Sequence, residues 1–540
     1  MRQARDYRGL GVYAAALAGV LGVAAPAMGQ LRPDEVLVVY DSRIPDSLAV
    51  AERYAGSGKV PGGVGGLAGH RPGVRVFDLA SSGAPVLTAP TITPSQFGAS
   101  LRGPIRAHLT GQNLTQRVRC LVVTKGMPHR VQDHDVPIAG DNPTLQVDEI
   151  LAGDATAASV DAELTLVYAD LDAGEQGGTM DSRADGLIVN PFWRTLQPHR
   201  VYPQTNILSP KNYSAFMPGP AWVPTGSGAT RLMQGDVLLV CRLDGNSVAD
   251  VDAALTRAGR VFYDTLAHVA LFDESGSNGV ADAGPNDELD NVGSGFSACR
   301  DTDDYEITRD EFATDTRFAG SFVRYNALLG SSQFFVGPRL TWQPPVLLVN
   351  EPVVLVASYG ANHFGLPLTT GGEIARTIYA RSYHYPDGAI MNTIESYNAR
   401  SLGGIPPLDF APQMHVGDFI EAGGTFAIGH VWEPLADTIA DNRFLARHFI
   451  RGNFSWAEAA WSSIPALSWQ HVVLGDPLAR SVRSSEDITG DQRITVDDLY
   501  AWEASPSDVD RNGVTDANDR AHVVRALRAW ERADVLTGRD

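Results

Sequence analysis

The stretch VLVVYDSRIPDSLAVAERY, residues 36–54, decides the fold class. Its first five residues are apolar without interruption, which predicts a strand covered on both faces, since a half-exposed strand would alternate polar and apolar positions. Asp41 to Pro45 break that run, and residues 46–55 then place apolar side chains at helical spacing. Outward from this unit the pattern repeats. Residues 74–77, 118–124 and 237–242 read as strands, and 95–109 as a helix that Pro104 must bend or start. Further on come two strand-like runs within 346–358, the segment GAIMNTIESYNARSL (388–402), the strand-like GGTFAIGHVWEP (423–434) and a helical stretch at 456–463. Strands alternating with helices predict an α/β domain over residues 30–480, with largely parallel sheets covered by helices. It is expected as two halves around an acidic insertion at 273–315.

The N-terminus departs from this pattern. Arg2, Arg5 and Arg8 precede an uncharged run over 10–25 that ends in Ala27-Met28-Gly29, which predicts a secretory signal peptide at 1–29. The run is short and rich in Ala and Gly, so a cleaved leader is favoured over an anchor, and no later segment is apolar enough to span a membrane. The expectation is a secreted protein, extracellular, at the cell surface or periplasmic. A net charge of −20 without a basic cluster excludes a nucleic-acid binder and favours divalent cations as partners. Cys120, Cys241 and Cys299 are an odd set, two of them inside apolar runs, so buried thiols are expected rather than a disulfide framework.

The sharpest chemical signal lies at the other end. DITGDQRITVDD (487–498) and DVDRNGVTDAND (508–519) are a repeat in which oxygen-bearing side chains fall at positions 1, 3, 5, 9 and 12. A twelve-residue calcium loop needs that spacing, plus a carbonyl from position 7, to wrap one hard cation in oxygens. The second loop would use Asp508, Asp510, Asn512, Asp516 and Asp519 with the carbonyl of Val514, and Gly513 supplies its sharp turn. The first would use Asp487, Thr489, Asp491, Thr495 and Asp498 with the carbonyl of Arg493. Gln492 stands at its turn position, so it is expected to bind more weakly. Both loops end in Asp, each is followed by a helix candidate, and Val523, Val524, Leu527 and Trp530 form one stripe on the second helix. The pattern resembles type I dockerin repeats. That resemblance implies a small all-α, EF-hand-like module at 487–533, joined by a linker at 481–486 and attaching the chain to a cohesin-like or cell-surface partner. Starts 21 residues apart leave a shorter connection than in cellulosomal dockerins.

VLVVYDSRIPDSLAVAERY, CLVVTKGMPHRV (120–131), SVDAELTLVY (159–168), NPFW (190–193), VCRLDG (240–245), GGTFAIGHVWEP and SWQHVVLGDPLAR (468–480) together resemble a conserved family of exported bacterial proteins of unknown function. The last of these also resemble the closing part of caspase-like and gingipain-type peptidases. Such enzymes carry a thiolate at the end of one strand and a His base at the end of its neighbour. Here the resemblance implies His363, in SYGANHFG, as the base. The neighbouring strand end, expected at 394–398, holds Ser396 but no Cys. Other polar groups expected at strand ends are His129, Arg130, Asp244 and His430. Asp41, Lys125 and Arg242 could gather in the crevice at the carboxyl edge of a parallel sheet, or serve as turn and ion-pairing residues. No P-loop, dinucleotide fingerprint, HExxH pair or G-x-S-x-G elbow is present. Two functions remain: an exported protein displayed through a calcium module, or an extracellular hydrolase.

Overall fold

The apolar run at residues 36–40 becomes a buried strand one in from the edge of a ten-stranded sheet. The structure is a computed structural model and describes residues 31–132, 158–168, 188–193, 222–225, 228–231, 234–274, 305–328, 330–363, 365–402, 415–432, 434 and 438–537. The expected signal peptide, Cys299, and residues 275–304 of the expected acidic insertion lie outside these.

The strands of the main sheet are β1 (Val36–Tyr40), β2 (Arg75–Asp78), β3 (Cys120–Thr124), β4 (Leu239–Leu243), β5 (Val269–Asp273), β6 (Val323–Asn326), β7 (Val353–Ser358), β8 (Ile390–Asn392), β9 (Phe426–His430) and β10 (His471–Leu474). They lie in the order β6-β5-β7-β8-β9-β10-β4-β3-β1-β2. Every neighbouring pair is parallel except β9 and β10, where His430 stands opposite His471. One antiparallel seam therefore joins two parallel half-sheets, and their carboxyl edges point to opposite sides of the molecule. Every residue of β1, β3, β4, β7 and β9 is buried, as uninterrupted apolar runs require when helices flank both faces.

Helices α1 (Pro45–Ala55), α2 (Val248–Ala258), α3 (Tyr305–Thr314), α4 (Trp456–Ser463), α5 (Val496–Ala504) and α6 (Ala517–Thr537) follow in chain order. Pro45 opens α1, where its missing N–H has no role. Gly56 closes it at φ +90, where a Cβ would lie 2.6 Å from the Ala68 carbonyl oxygen. Ser455 and Glu458 form a capping box on α4, and Glu458 also accepts the Leu31 N–H, tying the start of the body to its end. Pro104 is accommodated by one π turn, Gly98–Arg102, set between Pro94–Phe97 and Gly103–Gly111. In the wider turn Gly103 N–H donates to the Gly98 carbonyl five residues back, directly before the proline that has no N–H to donate.

Two readings change in the structure. All of residues 481–486, expected as a polar linker, are buried except the half-buried Ser484: Val482–Arg483 pairs with Phe262–Tyr263, and Arg483 and Arg317 both bond Glu486. Their polarity belongs to an internal ion network, not to solvent. Within the expected insertion, residues 305–314 are helix α3, whose Glu311 pairs with Arg443, Arg447 and Arg451. Burial raises the neighbouring Asp315, but Arg317 and Arg451 overcome it and hold the carboxyl at about 2. Cys120 and Cys241 are free and buried. Among the described residues no helix is long and apolar enough to cross a membrane.

Candidate functional site

The opposed half-sheets divide the sequence candidates between two edges. Asp41, Lys125 and Arg242 stand at the ends of adjacent strands β1, β3 and β4. Each is already engaged. Asp41 holds Arg43 through both oxygens, at 2.8 and 2.6 Å. Lys125 donates to the Gly245 carbonyl at 2.7 Å, and Asp244 lies 3.4 Å from it. Arg242 is clamped by Asp161 at 2.8 and 3.0 Å and donates to the carbonyls of Met127 and Pro128. The space beside Arg242 is only about 10 Å³, less than a substrate needs. The structural role for this trio is the one observed.

The other edge gathers the remaining candidates. β7 ends at Ser358 and leads to His363; its parallel neighbour β8 ends at Asn392 and leads to Ser396. The two loops are bonded together, for Ala361 N–H donates to Glu395 Oε1 at 2.8 Å and the Asn362 amide donates to the Ile394 carbonyl. Glu395 is the hub. Its second oxygen accepts from Tyr379 and from Thr393, both at 2.8 Å, so three donors hold a carboxylate that is fully buried. Burial and the Glu395 charge push the Tyr379 phenol well above its usual value, which keeps it a donor. Gly360 makes the close approach possible: at φ +54 it would place a Cβ 2.3 Å from the Glu395 carboxyl carbon.

The third strand of this edge, β9, ends at His430. Its Nδ1 donates to the Glu395 carbonyl at 3.0 Å, and burial pushes its pKa down to about 4, so it is neutral at pH 7. Asn398 accepts from His430 N–H, and Tyr397 N–H donates to the Trp432 carbonyl. Tyr397 follows Ser396 at φ +59, a left-handed conformation that side chains adopt at a cost of about 1 kcal/mol. His363 packs edge-on to Phe334 with ring centroids 5.0 Å apart, and is 4% exposed against 9% for Ser396. Chemically the edge offers a hydroxyl, an imidazole and a fixed carboxylate on touching loops. Sequence reading missed Glu395, three residues beyond the end of β8, although an acid just past a strand-like run was the signal for it.

At the C-terminus the two acidic loops fold alike. Asp487 accepts the N–H groups of Gly490, Asp491 and Gln492, and Asp498 those of Thr489 and Thr495. Correspondingly, Asp508 accepts from Asn512 and Gly513, and Asp519 from Val509, Asp510 and Asp516. The fourth and sixth positions are left-handed in both: Gly490 and Gln492 at φ +74 and +63, Arg511 and Gly513 at +55 and +90. Carboxylate oxygens of Asp508, Asp510 and Asp519 lie within 4.8 Å of one another. Oxygens bound to one calcium ion at about 2.4 Å lie no more than about 5 Å apart, so this set fits the ion. In the first loop Thr489 takes the place of the second carboxylate, and its hydroxyl donates to Asp498 at 3.0 Å.

The loops do not stand apart from the body. Arg511 donates to Thr265 Oγ1 and to the Arg317 carbonyl, and Thr316 donates to the Asp510 carbonyl. Ile494, Ala526 and Leu527 pack on Val482 and Phe262, while Val523 packs with Trp502 and Val509. The side chain of Trp530 lies outside the described residues.

No family model matches the chain, and no curated protein matches it. A solved structure titled "Structure of Protease" aligns with 85% of this chain and 81% of its own, at 9% identity and a TM-score of 0.34. That likeness is too distant to carry an argument.

Proposed function

We propose that the chain is an exported α/β protein displayed through a calcium-stabilised, dockerin-like module at residues 487–533. The observation that carries the reading is the matched geometry of the two loops together with the convergence of Asp508, Asp510 and Asp519. Three carboxylates held this close repel one another unless a cation sits among them, so ion binding is coupled to the folding of this segment. Val496 and Tyr500, four residues apart on α5, are 40% and 61% exposed and offer an apolar face to a cohesin-like or cell-surface partner. The test is calorimetric titration of calcium into the EDTA-stripped full chain. Saturable binding is expected, with the tighter site lost in Asp508→Ala and the weaker one in Asp498→Ala. An absence of binding overturns the reading.

A second reading, an extracellular hydrolase of caspase- or gingipain-like type, is favoured by one observation: His363 and Ser396 follow adjacent parallel strands on loops that are hydrogen-bonded together. Ser396 would attack a substrate carbonyl as its hydroxyl proton passes to His363, and the imidazolium would return that proton to the leaving group. Covalent labelling by a fluorophosphonate, abolished in Ser396→Ala and in His363→Ala, is the expected result. An unlabelled wild-type chain rules this reading out.

A further inference from the structure

Where the second acidic loop meets the body, the structure leaves a cavity of about 380 Å³, within the range of small-molecule sites. Its wall runs from helix α3 through the turn that follows to the edge strand β6, and Arg511 closes it from the loop. Phe312 and Phe318 are buried there, edge to face with ring centroids 5.2 Å apart, and Val323 continues the apolar surface. Gly320, also in the wall, is exposed, so the cavity reaches solvent.

None of the residues lining this cavity is acidic, although the chain carries a net charge of −20. Two are cations. Arg309 is satisfied: it pairs with Asp310 at 2.9 Å and stands over the Tyr325 ring, 4.5 Å from the centroid. Arg511 is satisfied on one side only. Its Nη1 donates to Thr265 Oγ1 at 3.1 Å and to the Arg317 carbonyl at 2.7 Å, which fixes the guanidinium on the body and uses both Nη1 hydrogens. The remaining edge, Nε with Nη2, has no acceptor among the described residues. The acids nearby along the chain are engaged elsewhere, Asp310 by Arg309, Asp315 by Arg317 and Arg451, and Asp510 in the set with Asp508 and Asp519. Elsewhere in this chain the same guanidinium edge holds a carboxylate side-on: Arg43 grips Asp41, and Arg242 grips Asp161, through Nε and Nη2.

We propose that this cavity binds a small aromatic carboxylate, its ring against Phe312, Phe318 and Val323 and its carboxylate on the Nε and Nη2 edge of Arg511. The apolar wall belongs to the body and the charge to the loop, so the ligand bridges the two. The site depends neither on Ser396 as a nucleophile nor on an ion in the acidic loops.

The test is saturation-transfer NMR on the full chain, with 3-phenylpropanoate and its neutral amide as titrants and acetate and inorganic phosphate as competitors. Excess calcium in every sample keeps the loop that supplies Arg511 in one state. 3-Phenylpropanoate should bind saturably, and the amide more weakly by about tenfold or more. Arg511→Gln should weaken binding to a similar degree. Because Arg511 also ties the loop to the body, Gly320→Leu is the second variant: it leaves those bonds in place, a Cβ there meets nothing within 4 Å, and the longer side chain occupies the cavity. Absence of saturable binding, equal binding of the amide, displacement by equimolar acetate or phosphate, or binding that survives both substitutions overturns the proposal.

Discussion

His430 and His471 face each other across the antiparallel seam of the sheet, both fully buried, with ring centroids 5.2 Å apart. Each commits one N–H to a backbone carbonyl, His430 to Glu395 and His471 to Thr438. Burial pushes both pKa values down, His430 to about 4 and His471 well below its usual value. A histidine depressed on folding contributes stability above about pH 6.5, its unfolded value, and loses it as pH falls through the folded value. Urea midpoints should therefore drop between about pH 6.5 and 4. His430→Phe should shallow that decline while costing about 1 kcal/mol at pH 7 for the lost hydrogen bond. An unchanged acid limb in the variant would remove His430 as its source.

Asp273 works in the opposite direction. Burial raises its carboxyl to about 7, against the bonds it accepts from Asn326 and Phe335. Its contribution is present below about pH 4, its unfolded value, and is lost as pH rises through about 7, with a slope of at most about 1.4 kcal/mol per pH unit. Denaturant titrations from pH 5 to 8 should show Asp273→Asn flattening this alkaline decline. Equal slopes in both proteins would refute it.

Glu486 should hold the C-terminal module onto the body. Its carboxylate takes Arg483 at 2.6 Å and Arg317 at 3.0 Å, all three buried. Glu486→Ala leaves the buried Arg483 without a carboxylate and Arg317 with Asp315 alone, a loss of about 3–5 kcal/mol. Hydrogen exchange should accelerate first in residues 482–537, and exchange that rises evenly across the chain would contradict the assignment.

Gly360 should tolerate no side chain. Alanine there meets the Glu395 carboxyl in a backbone held at φ +54. Gly360→Ala is expected to lower stability by about 1–3 kcal/mol and to suppress any fluorophosphonate labelling of Ser396. Retention of the wild-type midpoint would show that the two loops can part at little cost.

Gln492 holds a left-handed conformation that glycine adopts freely, as Gly513 does in the second loop. Gln492→Gly should tighten calcium binding at the first loop several-fold in a titration. Weaker binding would indicate that the Gln492 side chain supports the loop.

Much of the α/β body was legible because its strands are covered on both faces. An uninterrupted run such as residues 36–40 has one economical reading, and the stretch read as helical at 456–463 is helix α4. Strand direction was not legible. Nothing in the residues of β10 distinguishes an antiparallel partner of β9 from another parallel strand, so the separation of Arg242 from His430 onto opposite edges emerged only in three dimensions. The same holds for charge. Arg483 and Glu486, which pair with each other, read as linker residues, and Glu311 as part of an acidic loop, because Glu486 and Glu311 find further partners far away along the chain at Arg317 and Arg447. The strand end expected at 394–398 falls earlier, at Asn392, and the hub of the loop that follows, Glu395, was overlooked in favour of the hydroxyl beside it.

The seam also sets when the sheet can be completed. β4 spans residues 239–243, yet the strand that covers its open side is supplied by residues 471–474, after every strand of the other half has emerged. During synthesis the first half-sheet therefore waits with an unpaired edge while more than two hundred residues follow it. A chain that stops short of β10 keeps two separate sheets with facing, unsatisfied edges. Such a product should associate with copies of itself, and completion of the main sheet's last strand is the step that ends that exposure.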